Sequence, residues 1–462
     1  MKKLNTLYIL GLTMVSAMGG LLFGYDWVVI GGAKPFYEIY FGIANNPALQ
    51  GWVMSSALIG CIFGAIIAGS TIDKYGRKRL LTVAAGLFII SAYGTGSADS
   101  ISFFTFYRIV GGIGIGIAST TSPMYIAEIA PAKLRGLFVS VNQLTIVIGI
   151  LSAQIVNMLI AQPVTENLNI NELLLSWNVQ TGWRWMFRAE LVPATAFFAL
   201  TFLIPESPRF LAKIGHYDRV SGILLKIGGK EYAANTIPQI KDSLKESLPK
   251  ISIKPLFDKK VGGIVLMGVV LAAFQQWCGI NIIFNYAEEV FRTAGYSVDA
   301  MFVNIVLTGS VNLVFTLVAM GTVDRLGRRR LMLFGAGGLS VVYLILGSFY
   351  FMNVTGWPML LLVVSAIAVY AMTLAPITWV VLSEIFPNRI RGVAMSIATL
   401  SLWVASSLLV LTFPFLNNAF GTSGTFWIYC IICVGGFIYI FKRLPETKGK
   451  SLEEIETELT KK

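Results

Sequence analysis

Asp73-Lys74-Tyr75-Gly76-Arg77-Lys78-Arg79 and Asp324-Arg325-Leu326-Gly327-Arg328-Arg329-Arg330 are one charged phrase written twice, each copy wedged between two long apolar runs. A second phrase, Ala127-Glu128-Ile129-Ala130-Pro131 with Arg135-Gly136 after it, returns as Ser383-Glu384-Ile385-Phe386-Pro387 with Arg391-Gly392. A third, Pro205-Glu206-Ser207, returns as Pro445-Glu446-Thr447. Every copy lies roughly half a chain length from its partner. Two homologous halves in one membrane chain are the architecture of a secondary transporter, with the substrate site where the halves meet.

Composition agrees with a membrane chain. Hydrophobic residues make up 55% and charged residues 13% of the 462 positions, against about 25% charged in soluble domains, and the mean hydropathy is +0.72. An apolar span needs about 20 residues to cross the bilayer. Twelve runs qualify, at about 7–30, 51–72, 80–98, 102–127, 137–160, 186–204, 262–287, 300–322, 331–351, 358–382, 393–415 and 425–442. They are continuously apolar rather than alternating, which excludes a transmembrane barrel. Met1-Lys2-Lys3 followed by an apolar run has the outline of a signal peptide. The run is too long and has no small-residue cleavage site before Asp26, so a retained first helix is expected.

The net charge of +12 could suggest a nucleic-acid partner, but its distribution points to topology. Lys2, Lys3, Lys74, Arg77, Lys78, Arg79, Lys133, Arg135, Arg325, Arg328, Arg329, Arg330, Arg389, Arg391 and the basic tail fall on one side of the spans. Only Lys34, Arg184, Arg188 and Arg292 fall on the other. The positive-inside rule then places both termini in the cytoplasm. The expected organisation is a six-helix half over 1–205, a cytoplasmic helical linker over 206–258, a second six-helix half over 259–445 and a tail over 446–462. Ser451 and Glu454 form a capping box for a short tail helix. Cys61, Cys278, Cys430 and Cys433 lie in apolar spans and read as packing residues. Gly112 and Gly116, in Gly111-Gly112-Ile113-Gly114-Ile115-Gly116, form a small-xxx-small pair for close helix contact rather than a dinucleotide loop.

Three groups of polar residues stand out. Gln275, Gln276 and Asn281 interrupt an apolar span. On a continuous helix Gln275 and Asn281 lie two turns apart on one side. From the residues alone, helix–helix glue and recognition of sugar hydroxyls stand equally, since carboxamides both donate and accept. Asp26 and Arg108 are the costliest residues within spans, and intramembrane charges mark functional sites. They read as a proton-coupling pair or as a static lock between the first and fourth spans. Glu190 reads either as their proton-linked partner or as an interfacial acid. Arg77, Glu128, Arg135 and Glu206 in one half, and Arg328, Glu384 and Arg391 in the other, suit ion-pair latches at the cytoplasmic helix ends. A purely topological role competes with that reading.

The paired Gly-Arg-[Lys/Arg]-Arg loops, Pro205-Glu206-Ser207-Pro208-Arg209, Arg108 ahead of the glycine run, Gln275-Gln276-Trp277-Cys278-Gly279-Ile280-Asn281 and Pro445-Glu446-Thr447-Lys448-Gly449 together resemble the sugar porter family of the major facilitator superfamily. Within that family the resemblance is to bacterial proton-coupled symporters of the D-xylose type, and it covers Gly24 to about Glu454. It implies an all-α fold of twelve transmembrane helices in two pseudo-symmetric halves. It also implies inward, proton-coupled transport of a pentose such as D-xylose or L-arabinose, or of a hexose such as glucose or galactose. Gln143, Asn312, Trp379 and Trp403 are implied as sugar-binding residues beside Gln275, Gln276 and Asn281, with Phe23 a further candidate. The sequence departs from the family pattern at Ile150, where glutamine is usual, at Asn285 (tyrosine), at Leu402 (glutamine) and at Leu374-Ala375 (Trp-Gly). Those changes make one side of the pocket less polar. The resemblance implies no cofactor, metal or nucleic acid; protons are the coupling ion. A monomer in the cell (inner) membrane is expected. A facilitative uniporter and a transporter-like sugar receptor are the alternatives. The acid at Asp26 speaks against the first and the short tail against the second. No nucleophile–base pair suggests an enzyme.

Overall fold

The computed structural model describes residues 4–131, 134–163, 170–246, 259–386 and 390–448, together with 450, 454 and 459. The last dozen residues of the 206–258 linker, Lys133, Arg389 and the Ser451 cap lie outside the described residues. The first half comprises α1 (Thr6–Tyr40), α2 (Pro47–Tyr75), α3 (Arg77–Gly96), α4 (Ile101–Ile129), α5 (Arg135–Ile160), a short α6 (Ile170–Leu175), a π-helical turn at Asn178–Gly182, α7 (Trp183–Arg188) and α8 (Leu191–Thr201). The linker carries α9 (Pro208–Lys213) and α10 (Tyr217–Glu246), the latter bent at Gly229. The second half comprises α11 (Lys259–Trp277), α12 (Ile280–Asn285), α13 (Ala287–Thr293), α14 (Val298–Leu326), α15 (Arg328–Phe351), α16 (Trp357–Met372), α17 (Leu374–Ile385) and α18 (Arg391–Arg443).

Local chemistry sets the helix starts. The side chains of Asn5, Asn46, Ser100 and Ser297 accept the backbone N–H groups of Tyr8, Leu49, Phe103 and Ala300, and Pro47 follows Asn46 where its missing N–H costs nothing. Among the described residues ten helical stretches are long and apolar enough to cross a membrane. The remaining two spans emerge from the breaks. At 1.5 Å per residue, the 53-residue α18 is about 80 Å long, far beyond a bilayer core of about 30 Å. Gly421 (φ +67°) divides it into two spans. The sixth span is α7 and α8, interrupted at Ala189–Glu190 because Pro193 cannot donate a hydrogen bond back to Ala189. That gives twelve spans in two halves, so the start of α1 and the end of α18 lie at one end of the bundle, the terminal end.

The helices pack backbone to backbone where glycine permits. A Cβ on Gly112 would lie 1.9 Å from the Ala57 carbonyl oxygen, and one on Gly116 2.4 Å from that of Cys61, so α2 and α4 meet through small residues. The expectation of a continuous seventh helix is corrected. Gly279 adopts φ +88° and ends α11, so Gln275 and Asn281 are related by a break rather than by two helical turns. The tenth span is broken too, at Thr373 between α16 and α17; Pro376 then occupies the first turn of α17, where its missing N–H is tolerated.

Candidate functional site

Asp26 on α1 and Arg108 on α4 are 1% and 2% exposed. Arg108 Nη1 donates to Asp26 Oδ1, and both Nη atoms lie 3.3 Å from the Asp26 backbone carbonyl. Gly111, one turn along α4, makes room for the carboxylate; a Cβ there would lie 3.0 Å from Asp26 Oδ2 and 2.3 Å from Ser91 Oγ. The guanidinium also sits 5.6 Å from the centroid of the Phe187 ring. Glu190, 1% exposed at the break of the sixth span, interacts electrostatically with both partners. Among the described residues Asp26 Oδ2, Arg108 Nε and Glu190 Oε1 have no hydrogen-bond partner. One carboxylate is thus paired with a guanidinium that cannot lose its proton, and a second buried carboxyl lies within electrostatic range of both. Burying charge out of water costs several kcal/mol per ion unless it is paired, so the surplus acid is a natural place for a proton.

The amide residues converge where two broken spans touch. Gln275 Nε2 reaches the carbonyls of Leu374 (3.5 Å) and Ala375 (3.3 Å), at the first residues after the break in the tenth span. Gln276 Nε2 donates to Gln275 Oε1 at 3.2 Å, Asn281 Nδ2 donates to Gln276 Oε1, and Asn285 Nδ2 donates to the Asn281 carbonyl at 2.9 Å. All four amide residues are buried. Irregular backbone within a membrane is tolerated where it lines a cavity, and paired discontinuous helices mark transporter substrate sites.

An aromatic cluster crosses from one half to the other. Phe23 lies 5.6 Å from Trp27 and 5.7 Å from Trp403 between ring centroids, and Trp27 lies 5.9 Å from Trp403. Among the described residues Trp403 Nε1 is buried without a partner. The sequence reading missed Trp27, although its i, i+4 spacing from Phe23 was visible. Asn312 is buried on α14, while Gln143 on α5 and Trp379 on α17 are half-buried. Among the described residues no hydrogen bond ties these three to the amide row.

At the terminal end, Glu206 Oε1 accepts the N–H groups of Arg77 (3.0 Å) and Lys78 (3.1 Å), the start of α3. Arg77 Nη2 pairs with Glu128 at 2.9 Å, and Ser207 Oγ donates to Glu128. In the second half Glu446 Oε1 accepts the Arg328 N–H at 2.9 Å, and Arg328 Nη2 pairs with Glu384 at 3.2 Å. Arg135 and Arg391 do not reach those acids; they bind the carbonyls of Ala127 (2.9 Å) and Phe386 (3.1 Å). Among the described residues the contacts named here stay within one half each.

Residues 12–459 match the family described as "Sugar (and other) transporter". The chain is 38% identical to the D-xylose-proton symporter of Escherichia coli, over 98% of this chain and 96% of that one. It is 36% identical to the arabinose-proton symporter of Bacillus subtilis, over 97% and 94%. The fold superposes on the inward-open conformation of the xylose transporter XylE from E. coli with a TM-score of 0.85, at 37% identity, covering 97% of this chain and 99% of that one. The twelve spans, the two halves and these full-length matches have one meaning: the chain belongs to the sugar transporter family, among the sugar porters of the major facilitator superfamily.

Proposed function

We propose that the chain carries a monosaccharide into the cell by alternating access, driven by protons. The observation that carries this reading is the buried Asp26–Arg108 pair with Glu190 beside it. Asp26 is protonated from outside, and its hold on Arg108 loosens. The loaded carrier turns over, the proton leaves to the cytoplasm, and Arg108 re-engages Asp26. Any change in the distance or hydration of the pair between the two states changes the proton affinity of Asp26, which is sufficient for coupling. The sugar sits against Gln275, Gln276 and Asn281, with Gln143 and Asn312 supplying further amide contacts. Trp379 and the Phe23–Trp403 cluster offer aromatic faces to the ring. Ile150 and Leu402, where glutamines are usual, leave one wall with fewer groups able to bind hydroxyls, which suits a pentose such as D-xylose or L-arabinose, or a hexose that presents fewer polar contacts on that side.

The chain sits in the bacterial inner membrane as a monomer, with both termini and the 206–258 linker in the cytoplasm. In intact cells an impermeant thiol reagent should label a cysteine at Asn353 and not one at Lys230; the reverse result would invert the orientation. The function is tested by uptake of labelled pentoses and hexoses into transport-deficient cells, with and without a protonophore. Accumulation that collapses with the protonophore supports symport. Equilibration that ignores it would identify a uniporter and remove Asp26 from the mechanism.

A further inference from the structure

The end of α1 away from the termini carries a second charge cluster that the coupling pair does not use. Lys34 is 1% exposed, and its Nζ lies 3.0 Å from Glu38, 3.5 Å from Glu288 and 2.5 Å from Glu289. Glu38 belongs to the first half, and Glu288 and Glu289 belong to α13 of the second, so Lys34 ties the halves together. Gly31, one turn earlier on the same face of α1, lies against the backbone of α12; a Cβ there would be 2.8 Å from the Phe284 carbonyl. Gly31, Lys34 and Glu38 thus form a seam onto which the short helices after the Gly279 break dock.

The charges in this seam do not balance. Three carboxylates face one buried ammonium and one largely exposed guanidinium, that of Arg292, which touches only Glu288, at 3.2 Å. Among the described residues Glu38 Oε1 and Glu289 Oε2 are buried without a protein partner, although Gln50 Nε2 supports Glu38 Oε2 at 3.2 Å. The other titratable neighbours, Tyr37 and Tyr286, bring no positive charge. We propose that this seam is the outer gate and a second proton-binding site: docking α13 onto α1 takes up one proton among Glu38, Glu288 and Glu289, shared around Lys34. Burial, outweighing the attraction of Lys34, pushes the Glu289 carboxyl above its ordinary range, in keeping with that geometry. The sign follows directly. The closed gate binds one more proton than the open gate, so closure is favoured as pH falls and lost as pH rises. The closed-to-open ratio changes by up to about tenfold per pH unit.

The proposal rests on the alternating-access reading, but its test needs no transport. Spin labels are placed at Asn45→Cys and Met352→Cys, exposed loop positions in separate halves at the gate end, in a cysteine-free protein in nanodiscs. Distance distributions are then recorded as pH is lowered from mildly alkaline to mildly acidic. The short-distance population should rise with the slope given above. Made in the Asp26→Asn background, so that the coupling acid adds no pH response of its own, Glu289→Gln leaves two acids against two cations, so the gate should stay closed and the slope should vanish; Glu38→Gln makes the same prediction should the first variant fold poorly. Lys34→Met should lower the short-distance population about tenfold or more at alkaline pH, and Lys34→Arg should restore it. The slope should persist in Asp26→Asn. A slope that survives Glu289→Gln or Glu38→Gln in the Asp26→Asn background, or that disappears in Asp26→Asn alone, overturns the proposal. So does a Lys34→Met distribution identical to the parent's.

Discussion

The two halves share their terminal ends and differ in their interiors. Gly76 and Gly327 both take φ near +90° (91° and 90°) between consecutive spans. In each half a glutamate from the Pro-Glu phrase accepts the first N–H groups of the next helix, an arginine pairs with a glutamate one span away, and a second arginine holds a turn carbonyl. Inside, the first half buries Asp26, Arg108 and Glu190, while the second buries Gln275, Gln276 and Asn281. What is repeated is scaffolding, used wherever a span must turn back at the terminal end. What is not repeated is the site chemistry: the Asp26–Arg108 pair lies in one half and the Gln275–Gln276–Asn281 amide row in the other. The coupling acid and most of the amides proposed for the sugar can then be placed in different halves of one moving body.

The largest expected effect tests that division where it is sharpest. Asp26→Asn mimics the protonated acid permanently. It should abolish uphill accumulation while leaving sugar binding and sugar-for-sugar exchange in place, read as counterflow in proteoliposomes. A well-expressed Asp26→Asn protein that still accumulates sugar, and remains sensitive to protonophore, would make Glu190 the coupling acid instead. A smaller effect is expected in the other half. Gln275→Ala or Asn281→Ala should leave the proton gradient usable but weaken sugar binding. Losing one partner of a buried hydroxyl costs about 1–3 kcal/mol, roughly 5- to 150-fold in affinity. Unchanged equilibrium binding in both variants would make the amide row helix glue.

The sequence made the repeated parts legible and left half of the unrepeated parts hidden. Twelve apolar runs and three doubled phrases were enough for the fold, because bilayer thickness and turn chemistry act locally. Asp26 and Arg108 were visible because charge within a span is rare. The breaks at Gly279, Thr373 and Ala189–Glu190 were not read, although Pro376 and Pro193 stood close by. A proline in an apolar run either bends a helix or ends it, and packing decides which. Lys34 appeared only as a cation on the minority side. Its link to Glu38 at i+4 was local, but its link to Glu288 and Glu289 depends on two halves meeting across more than half the chain. No spacing rule encodes that contact.

The scaffolding half of the comparison has its own tests, with smaller effects. Gly76→Ala and Gly327→Ala each force a side chain into backbone space that favours glycine. A Cβ at Gly76 would lie 2.3 Å from Glu206 Oε2, and one at Gly327 2.8 Å from Glu446 Oε2. Each should cost about 1–3 kcal/mol, read as a lower melting temperature of the purified protein in detergent. If the terminal ends are true equivalents, the two losses should be alike; a loss confined to one copy would mean that one turn has been freed of its structural duty.

The smallest effect concerns the glutamates that pair with the arginines. Glu128→Gln and Glu384→Gln keep the shape of the side chain and remove its charge. The pairs are alike in distance, 2.9 Å for Arg77–Glu128 and 3.2 Å for Arg328–Glu384, but not in burial. The side chains are 9% and 8% exposed in the first half, against 15% and 21% in the second. Less water means less screening, and Glu128 also holds the Ser207 hydroxyl. Glu128→Gln should therefore act more strongly, by about 1 kcal/mol, while Glu384→Gln approaches the value of a surface pair, about 0–1 kcal/mol. As latches at the terminal end, both variants should shift the population inward-open, read as reduced labelling of a cysteine lining the outer cavity. An equal shift in both would mean that burial does not set the strength of the latch. No shift in either would leave these charges with the task of orienting the chain in the bilayer.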